Sequence, residues 1–278
     1  MDLSVIIVSW NVRKLLKENL KAIYDNTQNI NFEVFVVDNN SKDNTVEMVR
    51  EKFPKVKLIV NDINEGFAKG NNQAIKKSSG KYILLLNPDM QVLPETLEKM
   101  VLWMDNNKKA GVAGCHLVKD SYKTVQHVRR FPRLFDQLMI TLKVPHFFPG
   151  VLNKYLAKDF DYSTKAVVDS IRGSFFVIRR EVIESVGLLD DRYFIWFEEV
   201  DYCRKVKDTH WDVVYTPEVK CIDHVGQSFS QVKTEKAQKY FRNSMLEYFK
   251  KWHPAWQYWT LKIAWPLGLI ISKIKKEN

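Results

Sequence analysis

The feature that most constrains the fold is an alternation of short β-branched runs with segments of helical periodicity over residues 1–118. Runs such as LSVIIVS at 3–9 and FEVFVVD at 32–38 have strand length and are largely apolar, which is typical of buried strands. Between them, residues 12–27 carry leucine and isoleucine at helical spacing. Strands that alternate with helices of this length predict βαβ units and a mainly parallel sheet with helices on both faces.

The same pattern gives the other expected elements. We predict strands at 56–61, 81–87 and 111–118, and helices at 41–53, 67–79 and 94–107. Ser41 is expected to cap the second helix, and Pro94 to lie near the first turn of the fourth. Farther along, we predict a strand running into a helix at 170–187, a helix at 194–207, and short strands at 212–219 and 221–226.

Composition narrows the class of protein. The chain has 278 residues, of which 45% are hydrophobic, and this allows one large α/β domain or two small ones. Its formal net charge of +10 favours an anionic partner: nucleotide phosphates, nucleic acid or an anionic membrane face. Three widely spaced cysteines and an N-terminus without a basic signal region predict reduced thiols and a cytoplasmic location.

Several well-known site motifs are missing from the sequence. It has no Walker A loop, no GxGxxG, no GxSxG and no HExxH. Its basic residues are dispersed apart from RRFPR at 129–133, so a nucleic-acid partner is not indicated.

Polar residues follow four of the predicted strands. They are SWN at 9–11, DNNS at 38–41, NDINEG at 61–66 and NPD at 87–89. Because ligands of open α/β sheets bind beyond the carboxyl ends of the strands, these four tips are expected to converge on one crevice. This favours a site role for Asp89 over that of an ordinary turn residue.

Six motifs follow one another along about residues 1–230: VIIVSWN, VVDNNSKDNT, NEGFAKGNN, LLLNPD, FIWFEEVD and HVGQS. In this order they resemble the motifs of family 2 glycosyltransferases, in particular those of the rhamnosyltransferase-like branch. The resemblance implies a GT-A fold, a nucleotide-sugar donor, a divalent cation (Mg or Mn) and inversion at the anomeric carbon.

The resemblance also implies a donor site. An aspartate at the position of Asp38 would accept the imide N–H of a uracil or thymine base, and glycines would let the backbone approach the ligand closely. An N-cap or turn role stays open for Asp38, ordinary core packing for Trp10, and a plain loop-to-helix turn for NEGFAKGNN. The implied nucleotide-sugar set is Val8, Trp10, Asn11, Asp38, Asn40, Asn64, Gly66, Gly70, Asn71 and Asn87.

A metal site is implied by Asp89 and His224. A cation bridging pyrophosphate oxygens would neutralise the charge of the leaving group, and hard cations prefer carboxylate oxygens. The family commonly has a DxD-type motif here, whereas this chain has Asn87-Pro88-Asp89, which makes a second protein ligand more desirable.

The catalytic base is implied by the motif FIWFEEVD. Inversion by direct displacement needs a group that takes the proton of the acceptor hydroxyl. Glu199 matches the second acid of a motif that is usually Glu-Asp, and Glu198 is the other member of the catalytic pair. An acidic first helical turn, favoured by the helix dipole, remains an alternative for both. On the acceptor side, the resemblance implies Arg172, Gly173 and Trp196.

The last 40 residues have a different character. They hold four of the eight tryptophans, and lysines flank the apolar part. We predict a GT-A domain over 1–235 (a nucleotide-binding half at 1–120 and an acceptor half at 121–235) and an amphipathic membrane-associating segment at 236–278. A spanning helix and packing on the catalytic domain or on an oligomer partner remain alternatives.

The hypothesis is an inverting, metal-dependent glycosyltransferase in cell-envelope polysaccharide synthesis, peripheral on the inner face of the cell membrane. It would move a sugar from dTDP-rhamnose or a UDP-sugar to a glycan or lipid-linked acceptor. A sugar-1-phosphate nucleotidyltransferase would want a basic Gly-rich loop after the first strand, which SWNVRK lacks. A catalytically inactive nucleotide-sugar-binding or scaffold protein remains open, because Asn87 and Glu199 both depart from the family pattern.

Overall fold

The computed structural model describes residues 1–224, 232 and 234–274. Strands and helices alternate through the first half, as the sequence predicts. The strands are β1 (Leu3–Ser9), β2 (Phe32–Asp38), β3 (Lys57–Val60), β4 (Tyr82–Leu86), β5 (Met90–Val92), β6 (Ala110–Val118), β7 (Ala166–Val167), β8 (Phe175–Arg179) and β9 (Asp212–Asp223). The helices are α1 (Arg13–Asn26), α2 (Thr45–Lys52), α3 (Phe67–Ile75), α4 (Thr96–Asn106), α5 (Leu134–Thr141), α6 (Arg180–Val186), α7 (Glu198–Lys207), α8 (Thr234–Trp252) and α9 (Ala255–Ile274).

The strands form one sheet in the order β3-β2-β1-β4-β8-β6-β9-β5, with β7 paired to β9. The half made by β3, β2, β1 and β4 is parallel throughout. Strand β8 lies antiparallel between β4 and β6, and β6 then pairs in parallel with β9. The largely parallel sheet is confirmed, but the order of its second half is not the order of the chain.

Hydrophobic clusters cover both faces of the sheet. One packs Leu16, Leu20 and Ile23 of α1 and the inner side of α4 against the sheet. The other packs α3, α6 and α7 against the opposite face. Strands buried on both sides explain why their sequences are apolar throughout instead of alternating.

Several local predictions differ from the structure. Ser41 does not cap a helix: α2 begins at Thr45, and the Ser41 hydroxyl accepts a hydrogen bond from the Asn11 N–H at 2.9 Å instead. The third helix ends at Ile75, and Pro94 lies two residues before α4. Strand β5 was not predicted, and the two strands expected at 212–226 form one strand through Asp223, with residues 225 and 226 outside the described part.

Helices α8 and α9 are joined by two residues and pack together with α5 and the segment before α7. Arg242, about midway along α8, lies 5.8 Å from the ring centre of Trp265, about midway along α9, so the two helices fold back on each other and run antiparallel. Within the residues that the structure describes, no helix is both long and apolar enough to cross a bilayer.

Candidate active site

A cavity of about 800 Å³ opens at the carboxyl ends of the parallel strands. The ends of β1 and β4 supply one wall, the loop before α3 a second, and the segment before α7 with α8 a third. The polar residues that follow the four strands therefore meet at one cavity, as the sequence predicts. The predicted site residues that line this cavity are Val8, Trp10, Asn64, Gly66, Asn87, Asp89, Arg172, Gly173, Trp196, Glu198 and Glu199.

Six of the predicted site residues do not line the cavity directly. Asp38 is buried at the end of β2, where one carboxylate oxygen accepts the Ser41 N–H at 2.9 Å. Its other oxygen is buried and has no hydrogen-bond partner among the described residues. The remaining five are Asn11, Asn40, Gly70, Asn71 and His224.

Of the first four, Gly70 and Asn71 contact residues that line the cavity, and Asn11 and Asn40 lie in the turns that follow β1 and β2. Asn11 and Asn40 adopt left-handed backbone conformations in adjacent turns, with φ of 52° and 62°. The Asn71 amide donates to the Phe67 carbonyl at 2.9 Å. A Cβ added at Gly70 would lie 3.1 Å from the Val8 methyl groups, so a larger side chain there would press on β1.

The segment before α7 has an unusual backbone. Trp196 and Phe197 are both in the left-handed region, with φ of 64° and 70°. Such conformations cost free energy in residues other than glycine, and they persist where the surrounding structure fixes them. Here the Ser244 hydroxyl of α8 donates to the Ile195 carbonyl at 2.8 Å, and Phe197 is buried against α8. Helix α8 therefore helps to set where α7 begins.

Glu198 and Glu199 are the first two residues of α7. Glu198 is only 4% exposed, and burial together with the neighbouring Glu199 raises its pKa well above the ordinary value for glutamate. Burial also raises the pKa of Glu199, but Arg172 and Arg129 oppose this rise. One carboxylate oxygen of each has no hydrogen-bond partner among the described residues. The two adjacent acids thus have unequal surroundings, because nearby arginines oppose the rise in pKa only at Glu199.

Positive charge in the cavity comes mainly from two arginines. Arg129 forms a β-bridge with Ser170, two residues before Arg172. Both arginines line the cavity. Arg172 contacts the buried carboxylate of Asp223 at 3.3 Å. Burial, Arg172 and Arg129 together lower the pKa of His127 to about 3, so this cavity-lining imidazole is neutral.

Asp89 lines the cavity beyond the end of β4, and His224, which does not line the cavity, lies next to Asp89 through a backbone contact. The His224 N–H donates to the Asp89 carbonyl at 3.2 Å, and the imidazole contacts Asp120 at 3.1 Å. Asp223, before His224, pairs with Met90, after Asp89, in the β5–β9 ladder. In the described part of the chain, no group of three or more His, Cys, Asp or Glu side chains is arranged for a metal ion.

These donors still suit a cation that is shared with a ligand. Magnesium keeps several waters and is typically bound through one or two carboxylates and substrate phosphates instead of a complete protein cage. Asp89 and His224 would hold such an ion. The motif HVGQS can be assessed only at His224, because residues 225–228 lie outside the described part.

Several cavity residues were not predicted from the sequence. Asp223 could have been found, because it ends a strand directly before His224. Arg129, Tyr155 and His127 come from the irregular middle of the chain. RRFPR gave a weak basic-aromatic signal there, but no periodicity indicates which of its side chains faces the site.

The family profile described as "Glycosyl transferase family 2" matches residues 4–187 of this sequence. The match covers most of the chain and includes nearly all of β1 and the whole of β4 and β8. The chain belongs to glycosyltransferase family 2.

Two named relatives within the family are rhamnosyltransferases. The N-acetylglucosaminyl-diphospho-decaprenol L-rhamnosyltransferase of Mycobacterium tuberculosis is 22% identical over 246 residues, which is 84% of this chain and 79% of the relative. The rhamnosyltransferase WbbL of Escherichia coli K12 is 26% identical over 238 residues, 81% of this chain and 85% of the relative. The resemblance to the rhamnosyltransferase-like branch is confirmed at this modest identity.

Solved structures share the fold. The mannosyltransferase PcManGT from Pyrobaculum calidifontis, solved with GDP-Man and Mn²⁺, has a TM-score of 0.61 at 19% identity and covers 97% of this chain and 73% of its own. GalNAc-T7, solved with UDP, GalNAc and Mn²⁺, has a TM-score of 0.62 at 16% identity, over 88% of this chain and 48% of its own. These neighbours show the GT-A fold of this family 2 enzyme.

Proposed function

We propose that this family 2 enzyme is an inverting, metal-dependent hexosyltransferase. It would transfer a sugar from dTDP-rhamnose or a UDP-sugar to a glycan or lipid-linked acceptor for cell-envelope polysaccharide. The observation that carries this proposal is that one cavity is lined by Asp89 at one end and by Glu198 and Glu199 at another. A leaving group that needs a cation and a nucleophile that needs a base could therefore occupy the same space.

The donor base would lie near Asp38. A buried carboxylate oxygen without a partner among the described residues is costly unless a ligand donates to it. The imide N–H of uracil or thymine is a suitable donor. Val8 and Trp10 line the cavity beside this strand end, and Gly66, with φ of 84°, forms part of the neighbouring wall. The two relatives named as rhamnosyltransferases favour dTDP-rhamnose as the donor.

The cation would be held by Asp89 and His224, with pyrophosphate oxygens completing its shell. When bound, a divalent ion stabilises the negative charge that develops on a departing phosphate. Arg172 adds fixed positive charge on the same side, since it contacts Asp223 directly before His224. The Asn87 amide lines the cavity as a neutral donor and acceptor where many family members have an acid.

Glu199 would act as the base. It has unused acceptor capacity, it lines the cavity, and its pKa is raised so that it can take a proton from a hydroxyl group. Arg172 and Arg129 oppose the rise in the pKa of Glu199, so Glu199 stays ionised at a lower pH than Glu198 does. Glu198, with its pKa raised well above the usual value, would remain protonated and could donate a hydrogen bond to the acceptor.

The acceptor would enter along Trp196, Gly173 and Arg172. A Cβ at Gly173 would lie 3.6 Å from the Glu199 side chain, so a larger residue would crowd the space beside the base. The mycobacterial relative is named for a diphospho-decaprenol acceptor, which makes a lipid-linked acceptor and peripheral contact with the inner membrane face reasonable for this chain as well.

The test is release of nucleotide diphosphate from a panel of dTDP-, UDP- and GDP-sugars with Mn²⁺, Mg²⁺ or EDTA. We expect metal-dependent release from one dTDP- or UDP-sugar, and loss of that release in Asp89→Ala. Donor binding without release from any sugar, even with a membrane lipid extract as the acceptor source, would favour the nucleotide-sugar-binding alternative.

A further inference from the structure

Helix α9 carries a stripe of exposed apolar residues, Trp256, Trp259, Ile263 and Leu267. They recur at intervals of three and four residues and therefore lie on one side of the helix. Their exposed fractions are 60%, 52%, 69% and 54%. The opposite side of α9 is buried against α5 and α8. Large apolar side chains that stay exposed in a row usually mark an interaction surface.

The sequence around this stripe is positively charged. From Tyr248 to Lys276 it has six lysines and neither aspartate nor glutamate, and of these lysines Lys251 is paired with Asp190 and Asp201. The Lys262 ammonium lies 4.5 Å from the ring centre of Trp259, at the edge of the stripe. Tryptophan and lysine together are typical of helices that lie in the headgroup region of an anionic bilayer. A second copy of the chain would instead bring two lysine-rich surfaces together, which is unfavourable.

The helix that carries the stripe packs against the cavity wall. Tyr240 and Phe241 of α8 line the cavity, and Phe241 and Arg242 pack with Trp265 on the buried side of α9. Successive helical residues point about 100° apart, so the stripe faces away from this contact. Helix α9 therefore lies between its exposed stripe and the cavity wall that α8 forms.

We propose that the α9 stripe docks this protein on an anionic bilayer surface, with α9 lying in the interface. Docked in this way, the α8 wall of the cavity is close to the membrane, where a lipid-linked acceptor has its head group. The proposal rests on the proposed function for its biological purpose, but the docking itself needs no sugar chemistry.

The test is flotation of the full chain with vesicles of phosphatidylcholine, with and without phosphatidylglycerol, in the absence of nucleotide sugar. We expect the wild type to float with the anionic vesicles and to be released by salt. The variant Trp256→Ser/Trp259→Ser/Ile263→Ser/Leu267→Ser should bind about a hundredfold more weakly or worse, because it removes most of the apolar area that would be buried.

Two controls keep the result interpretable. Leu102→Ser/Tyr122→Ser removes apolar side chains that are 61% and 67% exposed elsewhere, and this variant should float like the wild type. Lys262→Glu, which leaves the stripe intact, should reduce binding to anionic vesicles only. Circular dichroism is used to check that each variant is folded.

The docking proposal is overturned if the wild type fails to float with anionic vesicles or if the stripe variant floats as well as the wild type. It is also overturned if the wild type is a dimer without vesicles that the stripe variant dissociates. Donor hydrolysis in solution is measured separately and should be unchanged in the stripe variant. Hydrolysis without flotation would thus reject the docking alone, and flotation without hydrolysis would reject the proposed chemistry alone.

Discussion

At the scale of single residues, the proposed chemistry depends on how two neighbouring glutamates differ. Glu198 and Glu199 are adjacent on α7, where successive side chains point about 100° apart. Burial raises the pKa of both, but only for Glu199 do Arg172 and Arg129 lower it again. Unequal surroundings of this kind are how one site obtains an acid and a base from the same residue type.

Arg172→Met should move the acidic limb of the pH–rate profile to higher pH. A base works only when ionised, so a raised pKa means that the rate falls as pH drops through that raised value. Removing Arg172 removes a charge that lowers the pKa of Glu199, and the loss of rate should then begin nearer neutral pH. The measurement is kcat for nucleotide diphosphate release across pH.

Lys236→Met is the matched control for this change. Lys236 also lines the cavity, but it is not among the main causes of the Glu199 pKa shift. Its loss should leave the acidic limb in place. A limb that does not move in Arg172→Met, or that moves equally in both variants, would contradict the assignment of Glu199.

At the scale of elements, Asp201 joins α7 to the C-terminal helices. It is fully buried and accepts hydrogen bonds from Trp252 Nε1 at 2.6 Å and Lys251 Nζ at 2.9 Å, both at the end of α8. Tyr193, before the strained segment, donates to the same carboxylate at 3.2 Å. Asp201 therefore holds the base-bearing helix, its preceding segment and α8 together.

Asp201→Asn should destabilise the fold by about 2 kcal/mol, because it removes the charged acceptor of these buried hydrogen bonds and leaves the partly buried Lys251 with Asp190 as its remaining counter-charge. Urea unfolding followed by tryptophan fluorescence measures the loss. Lys250→Met, which changes an exposed lysine one residue away, should be neutral within about 0.5 kcal/mol. Equal stability of Asp201→Asn and wild type would show that the hydrogen bonds do not anchor α8.

Local patterns predicted some elements well and others poorly, for physical reasons. The strands of the parallel half are apolar and short, so their bounds could be predicted to within one or two residues. The insertion of β8 between β4 and β6 depends on tertiary pairing that no local pattern records. Ser41 failed as a cap because its hydroxyl serves the neighbouring β1 turn, a contact between residues 30 positions apart.

At the scale of the whole molecule, topology explains why the site was partly predictable. Parallel strands β1, β2 and β4 end on the same edge of the sheet, so the polar tips at Trp10, Asp38 and Asp89 had to come close together. The other wall comes from the middle segment and α8, which fold over this edge. Their contributions, Arg129 and Tyr240 among them, follow from packing and could not be predicted from spacing.

The most direct test of the central claim compares wild type with Glu199→Gln for both donor affinity and release of nucleotide diphosphate. Donor affinity is measured by calorimetry, with the sugar that the panel selects. We predict unchanged donor affinity and a rate about a hundredfold to ten-thousandfold lower, since the amide keeps the size of the side chain but cannot take a proton. Release at the wild-type rate in Glu199→Gln would contradict the claim that this glutamate is the base.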